Sequence, residues 1–123
     1  KINKEKDIIL PLHILSEDMK ESLNLNQILN YGCNISSGLM EASKSHCVIP
    51  FELAIAYALS ISIAGNASKI YLAGFDGFEI YDPRQDEMLE VFRLFKSISS
   101  IPIISITKTN YPLEKRTIHD PSI

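Results

Sequence analysis

The sequence predicts a small Rossmann-like α/β domain, a three-layer fold with helices on both faces of a mostly parallel sheet of about four strands. Short apolar runs alternate with helical segments along the chain, and this alternation favours parallel pairing through helical crossovers. One helical segment, Phe51–Ala64, is apolar on nearly all sides, as expected of a helix enclosed within a fold. The 123 residues suffice for a single domain with one core.

The first part of the chain contains two predicted strands and a short helix. Asp7–Leu15 is a nearly continuous apolar run, although Pro11 removes a backbone donor and favours an edge strand or a bulge. Ser16 followed by acidic residues predicts the start of a short helix. Gln27–Cys33 is the second predicted strand, and Asn34–Ser45 is polar enough to be predicted as a loop.

The central helix and the strand that follows it carry the clearest patterns. Pro50 fits the first position of a helix, where its missing N–H group costs nothing. Gly65 after the apolar segment predicts the helix end. Lys69–Phe75 is the strongest predicted strand, so the helix is expected to cross over into a neighbouring parallel strand.

A second helix and a last strand complete the predicted alternation. Asp82 followed by a proline, with Gln85 three residues after the aspartate, predicts a capping box at the start of a helix that ends near Ser97. Ile101–Ile106 is the last predicted strand, and residues 107–123 are predicted as a polar tail.

Composition and charge exclude several function classes. The chain has 12 Lys and Arg against 15 Asp and Glu, and this net charge of −3 argues against nucleic acid or an anionic membrane surface as a partner. No apolar segment is long enough for a membrane span and no signal sequence is apparent, so we expect a cytoplasmic protein. Because no initiator methionine is present, we also expect a C-terminal piece of a longer protein, with the rest of that chain as one partner. Homo-oligomerisation stays open.

Ligands of open α/β sheets bind beyond the carboxyl ends of the strands. The predicted topology places Tyr31–Gly38, Phe75–Asp82 and Thr107–Tyr111 on one such edge. No G-x-G-x-x-G and no P-loop motif occurs, so no dinucleotide or other cofactor is predicted for this domain. His13 and His119 have no partners at ligand spacing, so no metal site is predicted either.

Five residues near this edge are predicted to bind a ligand. Asp76 follows a strand, where a carboxylate can orient a ribose hydroxyl, although it could equally cap the turn. Gly77 allows a ligand to approach the backbone closely. Arg84 opposes the helix dipole in a first turn, so it could be held there for a ligand anion or for a carboxylate of the preceding turn, Asp76 or Glu79. The alternative is a merely solvated side chain. Thr107 and Thr109 could line the pocket, and the alternative is an ordinary loop.

A further candidate site is His46 and Cys47 at the start of the Pro50 helix. Free amides at a helix start suit a phosphate or carboxylate, and the dipole would lower the pKa of a nearby thiol. A Cys–His nucleophile pair is one alternative, but adjacent residues rarely point at each other and no orienting acid is evident. The simpler alternative, a small buried side chain at Cys47, is therefore favoured over it. With Cys33 as the other cysteine and no C-x-x-C spacing, reduced thiols are expected, with neither a zinc site nor a disulfide framework.

Several motifs together resemble one family over roughly Asn30 to Leu113. That family is the C-terminal domain of HMG-CoA-lyase-like (DRE-TIM) aldolases labelled 4-hydroxy-2-oxovalerate aldolase. Similar domains accompany acylneuraminate-cytidylyltransferase-like proteins of surface-polysaccharide clusters. The motifs that carry the resemblance are Cys47–Pro50, Leu53–Ala58, Lys69–Gly77, Asp82–Met88 and Thr107–Leu113.

This resemblance implies an accessory domain of an aldolase-type lyase in sugar or surface-glycan biosynthesis. It would bind a phosphorylated or nucleotide-linked sugar without catalysing a reaction itself. The aldolase barrel needs about 250 residues, so its metal ligands and catalytic base are assigned to no residue of this chain.

Two other functions stay open. The pattern from Leu53 to Asp76 is also similar to bacterial sialyltransferases that bind CMP-sugars, which implies a sugar-nucleotide transferase fragment with Asp76 as a catalytic or ribose-binding acid. The sialyltransferases' remaining catalytic apparatus is not recognisable in this chain. The other alternative is a structural or oligomerisation module, in which Asp82 and Gln85 only cap a helix.

Overall fold

The computed structural model describes residues 7–121, apart from the side chain of Leu25, and shows a mixed α/β chain with small, mainly parallel sheets. Short 3-10 turns occupy Leu12–Ile14 and Leu25–Gln27. The strands and helices are β1 (Ile8–Leu10), α1 (Glu17–Glu21), β2 (Ile28–Asn30), β3 (Gly32–Ile35), β4 (Glu41–Ala42), β5 (His46–Ile49), α2 (Ala54–Ala64), β6 (Ile70–Leu72), α3 (Pro83–Ile98), β7 (Ile103–Ser105) and β8 (Glu114–Lys115).

Parallel pairing organises the first part of the chain. β1 pairs with β2, and β3 pairs with β5, both in parallel, while β4 lies antiparallel on the other side of β5. Tyr31 N donates to Leu10 O at 3.1 Å and Gly32 N donates to Ser45 O at 3.0 Å, so the stretch 28–35 is bonded on both sides. The predicted strand Asp7–Leu15 is shorter than expected, because the chain turns at Pro11, which has no N–H group for a ladder.

The start of α2 corrects the prediction. The helix begins at Ala54 and not at Pro50, because residues 46–49 pair with β3 instead of leading directly into a helix. The prediction of a loop over Asn34–Ser45 is also wrong in part, since that segment contains β4. Gly65 ends α2 as predicted.

α2 is less enclosed than its composition predicts. Its fully buried residues are Ala56, Leu59 and Ser60, and it packs against β4 and β5, whereas Ala54 and Ala58 are exposed. The hydroxyl of Ser60 is buried without loss of a hydrogen bond because it donates to Ala56 O at 2.9 Å. The helix therefore covers one side of the β4–β5 pair and leaves part of its own surface in water.

The second part of the chain forms the predicted strand–helix–strand unit. β6 pairs in parallel with β7 in the register Ile70↔Ile103, and α3 connects them. The side chain of Asp82 accepts a hydrogen bond from Arg84 N at 2.9 Å, so the predicted N-cap is confirmed. β8 adds a third parallel strand beside β7, in a segment predicted as a tail.

The core is shared by both parts of the chain. Phe92 and Phe95 of α3 are 1% and 0% exposed, and they belong to one apolar cluster with Cys47 of β5, Leu59 of α2 and Ile103 of β7. Within residues 7–121, no helix is long and apolar enough to cross a membrane. The shared core fixes α3 against the strands, and this sets the position of the loops at their carboxyl ends.

Candidate functional site

The loops after β6 and β7 are joined by hydrogen bonds, and we call residues 73–78 and 107–110 the β6–β7 rim. Gly74 N donates to Thr107 Oγ1 at 2.8 Å, and Asn110 N donates to Asp76 O at 2.8 Å. Both strands are parallel, so both loops leave the same edge of the sheet. The structure therefore brings together two of the three segments that the sequence predicts to share an edge.

An amide network closes the rim against α3. Phe78 N donates to Gln85 Oε1 at 2.8 Å, Gln85 Nε2 donates to Asn110 Oδ1 at 3.0 Å, and Asn110 Nδ2 donates to Phe78 O at 3.2 Å. Gln85 is buried in this position and does not reach back to the N-cap amide as the capping box predicts. Gln85 and Asn110 therefore hold the rim in shape, a role that no local pattern of the sequence indicates.

Gly77 is required by the close approach of Asn110. Its φ angle is +110°, and a Cβ atom at this position would overlap the Asn110 side chain. The prediction that a ligand approaches the backbone at Gly77 stays untested. In the structure, the group that already lies close to Gly77 is the side-chain amide of Asn110.

Arg84 is paired with the residue that caps its helix. Its Nη2 lies 2.6 Å from Asp82 Oδ2, and its guanidinium lies over the Phe78 ring at 4.3 Å from the ring centre. The hydrogen bonds from Arg84 lower the pKa of Asp82 to about 2. The arginine is thus held at the rim with most of its side chain in water, 63% exposed.

Four polar side chains of the rim differ in how many hydrogen bonds they already make within the protein. Thr109 is buried, and its Oγ1 accepts from Tyr111 N at 3.2 Å, so it supports the loop. Thr107 accepts from Gly74 and keeps its hydroxyl hydrogen as a donor. Among residues 7–121 the exposed Asp76 carboxylate and Lys108 ammonium bond to no other group, so both can bind a ligand.

His46 and Cys47 lie outside the rim. They belong to β5, so the prediction that they stand at a helix start is wrong. His46 Nδ1 lies 3.1 Å from Ser43 Oγ in the turn before β5, whereas Cys47 is 1% exposed and stands opposite Cys33 in the β3–β5 register. The pKa of Cys47 is raised to about 12, mainly because the thiol is buried and to a smaller extent because the Cys33 thiol is nearby. The simpler alternative, a small buried side chain at Cys47, fits this environment.

The raised pKa of Cys47 predicts an unreactive thiol. Compared with a thiol of pKa near 9, its thiolate fraction at pH 8 is about a thousandfold lower, so its reaction with Ellman's reagent should be slow until the protein unfolds. Because the folded-state pKa is raised, its contribution to stability is complete below about pH 9 and is lost as the pH rises toward about 12. Urea unfolding from pH 8 to pH 11 should show this fall, and Cys47→Ala should reduce it. Rapid reaction of both thiols in the folded protein would contradict the assignment.

Tyr31–Gly38, the third segment predicted to share this edge, lies beside a cavity and not at the rim. Cys33, Asn34 and Ile35 line a cavity of about 530 Å³ beside the start of α2, and no rim residue lines it. The expectation that Tyr31–Gly38 joins the rim is therefore not met in the described contacts. Among residues 7–121 no group of three or more His, Cys, Asp or Glu side chains is placed to hold a metal ion.

Comparisons with other proteins do not indicate a function. No family model, no curated protein sequence and no solved structure matches the chain. The similarity to aldolase C-terminal domains stays an expectation based on its motifs. Function is therefore inferred from the rim and from this cavity.

Proposed function

We propose that this chain is a Rossmann-like accessory domain of an aldolase-type protein of sugar or surface-glycan biosynthesis, and that its β6–β7 rim binds a phosphorylated or nucleotide-linked sugar. The aldolase context is supported by the motif resemblance. The binding site is supported by one observation above the others. Two strand-end loops are hydrogen-bonded to each other, and together they present an unpaired carboxylate and an unpaired ammonium at one edge.

A single sheet of about four main strands is part of this proposal. Its support is the stretch 28–35, which is bonded to Leu10 on one side and to Ser45 on the other. The apolar cluster that includes residues of β3, β5, β6 and β7 is a second support, because one core is expected for one domain.

The chemistry of the rim suits a ligand with both hydroxyl and phosphate groups. The Asp76 carboxylate can accept hydrogen bonds from two neighbouring sugar hydroxyls. The Lys108 ammonium and the water-exposed part of the Arg84 guanidinium can bind phosphate oxygens, although the chain as a whole carries a charge of −3. Thr107 adds a hydroxyl donor to the same rim. These groups bind and orient a ligand, and no reaction step is assigned to them.

A binding screen with single substitutions tests the proposal. Isothermal titration with CMP, a UDP-sugar and a sugar phosphate should give at least one binder. Since hydrogen bonds to charged groups contribute about 1.5–3 kcal/mol, Asp76→Asn and Lys108→Ala should each weaken that binding about tenfold or more. Asp86→Asn on α3 is the matched control, an exposed acid outside the rim, and should bind like the wild type.

Three results would count against the proposal. The first is the absence of binding by every compound, which would favour a structural module. The second is unchanged binding after Asp76→Asn and Lys108→Ala, which would move the site elsewhere. The third is turnover of the sugar nucleotide that Asp76→Asn abolishes, which would favour a transferase over an accessory domain.

A further inference from the structure

The cavity beside α2 is a second place that fits a ligand, separate from the rim. It lies where β3 ends at Ile35 and β5 ends at Ile49, next to Leu53 and Ala54 at the start of α2. Its volume of about 530 Å³ is in the range of small-molecule pockets, roughly 300–1,000 Å³. The carboxyl ends of two parallel strands are also where α/β folds bind ligands.

The walls of the cavity are mainly apolar. A fixed aromatic ring forms part of them, because the hydroxyl of Tyr57 donates to Tyr31 O at 2.6 Å and its ring packs 5.8 Å from the Tyr31 ring. The aliphatic walls are Pro11, Ile14, Ile35, Ile49, Leu53 and Ala54. An apolar body of a ligand would leave water on entering this space.

Among residues 7–121, the charged and polar groups that line the cavity are few and of one sign. Glu52 is the charged lining residue in this range, and no lysine, arginine or histidine of the range lines the space. Asn34 adds an exposed amide. His13 lies between the lining residues Pro11 and Ile14 in the sequence, but its Nε2–H group donates to Cys33 O at 2.8 Å and its side chain does not line the cavity.

From these walls we propose that the cavity binds a small organic amine with an apolar body. The ammonium group pairs with Glu52, and the apolar body lies against Tyr57 and the aliphatic walls. An anion would meet the Glu52 carboxylate, and no cation among the lining residues of the described range 7–121 offsets that charge. The partial positive charge at the start of α2 is smaller than the full charge of Glu52, which lies immediately before the N-cap residue Leu53.

Three probes of the same shape but different charge test the proposal on the whole chain. Benzylamine, benzyl alcohol and benzoate are titrated separately while amide chemical shifts are recorded by NMR. Benzylamine is expected to bind at least fivefold more tightly than benzyl alcohol, and benzoate should bind most weakly. The largest shifts are expected at Asn34, Ile35, Leu53 and Ala54.

Substitutions separate the charge effect from the apolar effect. Glu52→Gln should remove the preference for benzylamine over benzyl alcohol while leaving the affinity for the alcohol within twofold. Ile35→Trp should abolish binding of all three probes, because the larger ring fills the space from a position that is already 47% exposed. Glu41→Gln on β4, an exposed acid outside the cavity, is the matched control and should keep the preference.

Several results would overturn the proposal. Benzoate as the tightest probe would show that the helix start dominates the cavity. Unchanged affinities after Ile35→Trp would place the binding elsewhere. No binding by any probe would show that the cavity does not take a ligand of this class. A mass in analytical ultracentrifugation that doubles with concentration and returns to the monomer value in Ile35→Trp would mean that a second copy of the chain covers this face. Rim variants such as Asp76→Asn should leave these titrations unchanged, so the outcome is independent of sugar binding.

Discussion

Replacing Phe92 with alanine is expected to lower the free energy of unfolding by about 3–5 kcal/mol, measured by urea denaturation. The Phe92 ring is 1% exposed in the shared core, so its removal leaves a cavity that the neighbouring elements fill only in part. The ring also packs against Tyr111 at 5.3 Å between centroids with the planes tilted by 55°, and this pair is lost as well. A domain of this size has a total stability of about 5–15 kcal/mol, so the loss is a large share.

The control for this substitution lies on the same helix. Ile98→Ala removes an apolar side chain that is 40% exposed and should cost less than about 1 kcal/mol. Phe95→Ala should destabilise as strongly as Phe92→Ala, because its ring is equally buried. A loss for Phe92→Ala no larger than that for Ile98→Ala would contradict the core described above.

Phe92 also connects the core to the rim. Tyr111 directly follows residues 107–110 of the rim, and its buried ring rests on Phe92. Phe92→Leu, which retains most of the volume but loses the ring pair, should therefore speed hydrogen exchange at Tyr111 N more than Phe95→Leu does. Equal exchange in the two variants would show that the rim does not depend on this aromatic contact.

Local signals were sufficient to predict β6, α3 and β7. Asp82 caps α3 through the amide of Arg84, two residues away, and such a contact is readable from neighbouring residues. The apolar runs that became β6 and β7 are bounded by a glycine turn and a proline. The sequence therefore placed both strands and the helix between them, although it extended each strand by a few residues at its ends.

The elements that the sequence predicted wrongly depend on pairing between strands that are separated along the chain. Residues 46–49 look equally like a strand and like the approach to a helix, and their register with β3 makes them a strand. β8 has two residues, too few for any periodicity, and exists because Ser105 has a partner in Lys115. Such pairings join residues far apart in the chain, so no window of local sequence contains them.

In the candidate site, too, the sequence predicted what topology determines and missed what a contact between distant residues determines. Asp76 and Thr107 could be assigned to one edge because the position of strand ends follows from the topology. The bond from Gln85 to Asn110 spans 25 residues and leaves no spacing signal. Gln85 was assigned to a local capping box, since a glutamine three residues after an N-cap is equally suited to that role.

Replacing Gly77 with alanine is expected to destabilise the protein more than replacing Gly74, although both glycines have positive φ angles. Gly74 has a φ of +81° and open space where a Cβ would be added, so Gly74→Ala should cost about 1–2 kcal/mol from backbone strain alone. Gly77 combines a φ of +110° with a Cβ position that overlaps the Asn110 side chain. Strain and overpacking together should lower the free energy of unfolding by about 2–4 kcal/mol.

A double-mutant cycle separates the two contributions at Gly77. In the Gly77→Ala background, Asn110→Ala removes the overlap, so the double variant should be more stable than the sum of the single losses by about 1–3 kcal/mol. The backbone strain remains in the double variant, which should therefore stay less stable than Asn110→Ala alone. Thermal and urea unfolding of all four proteins measure the cycle, with Gly74→Ala as the strain reference. Equal losses for Gly74→Ala and Gly77→Ala, or additive losses within the cycle, would show that Asn110 does not restrict this turn, and the shape of the rim would then need another cause.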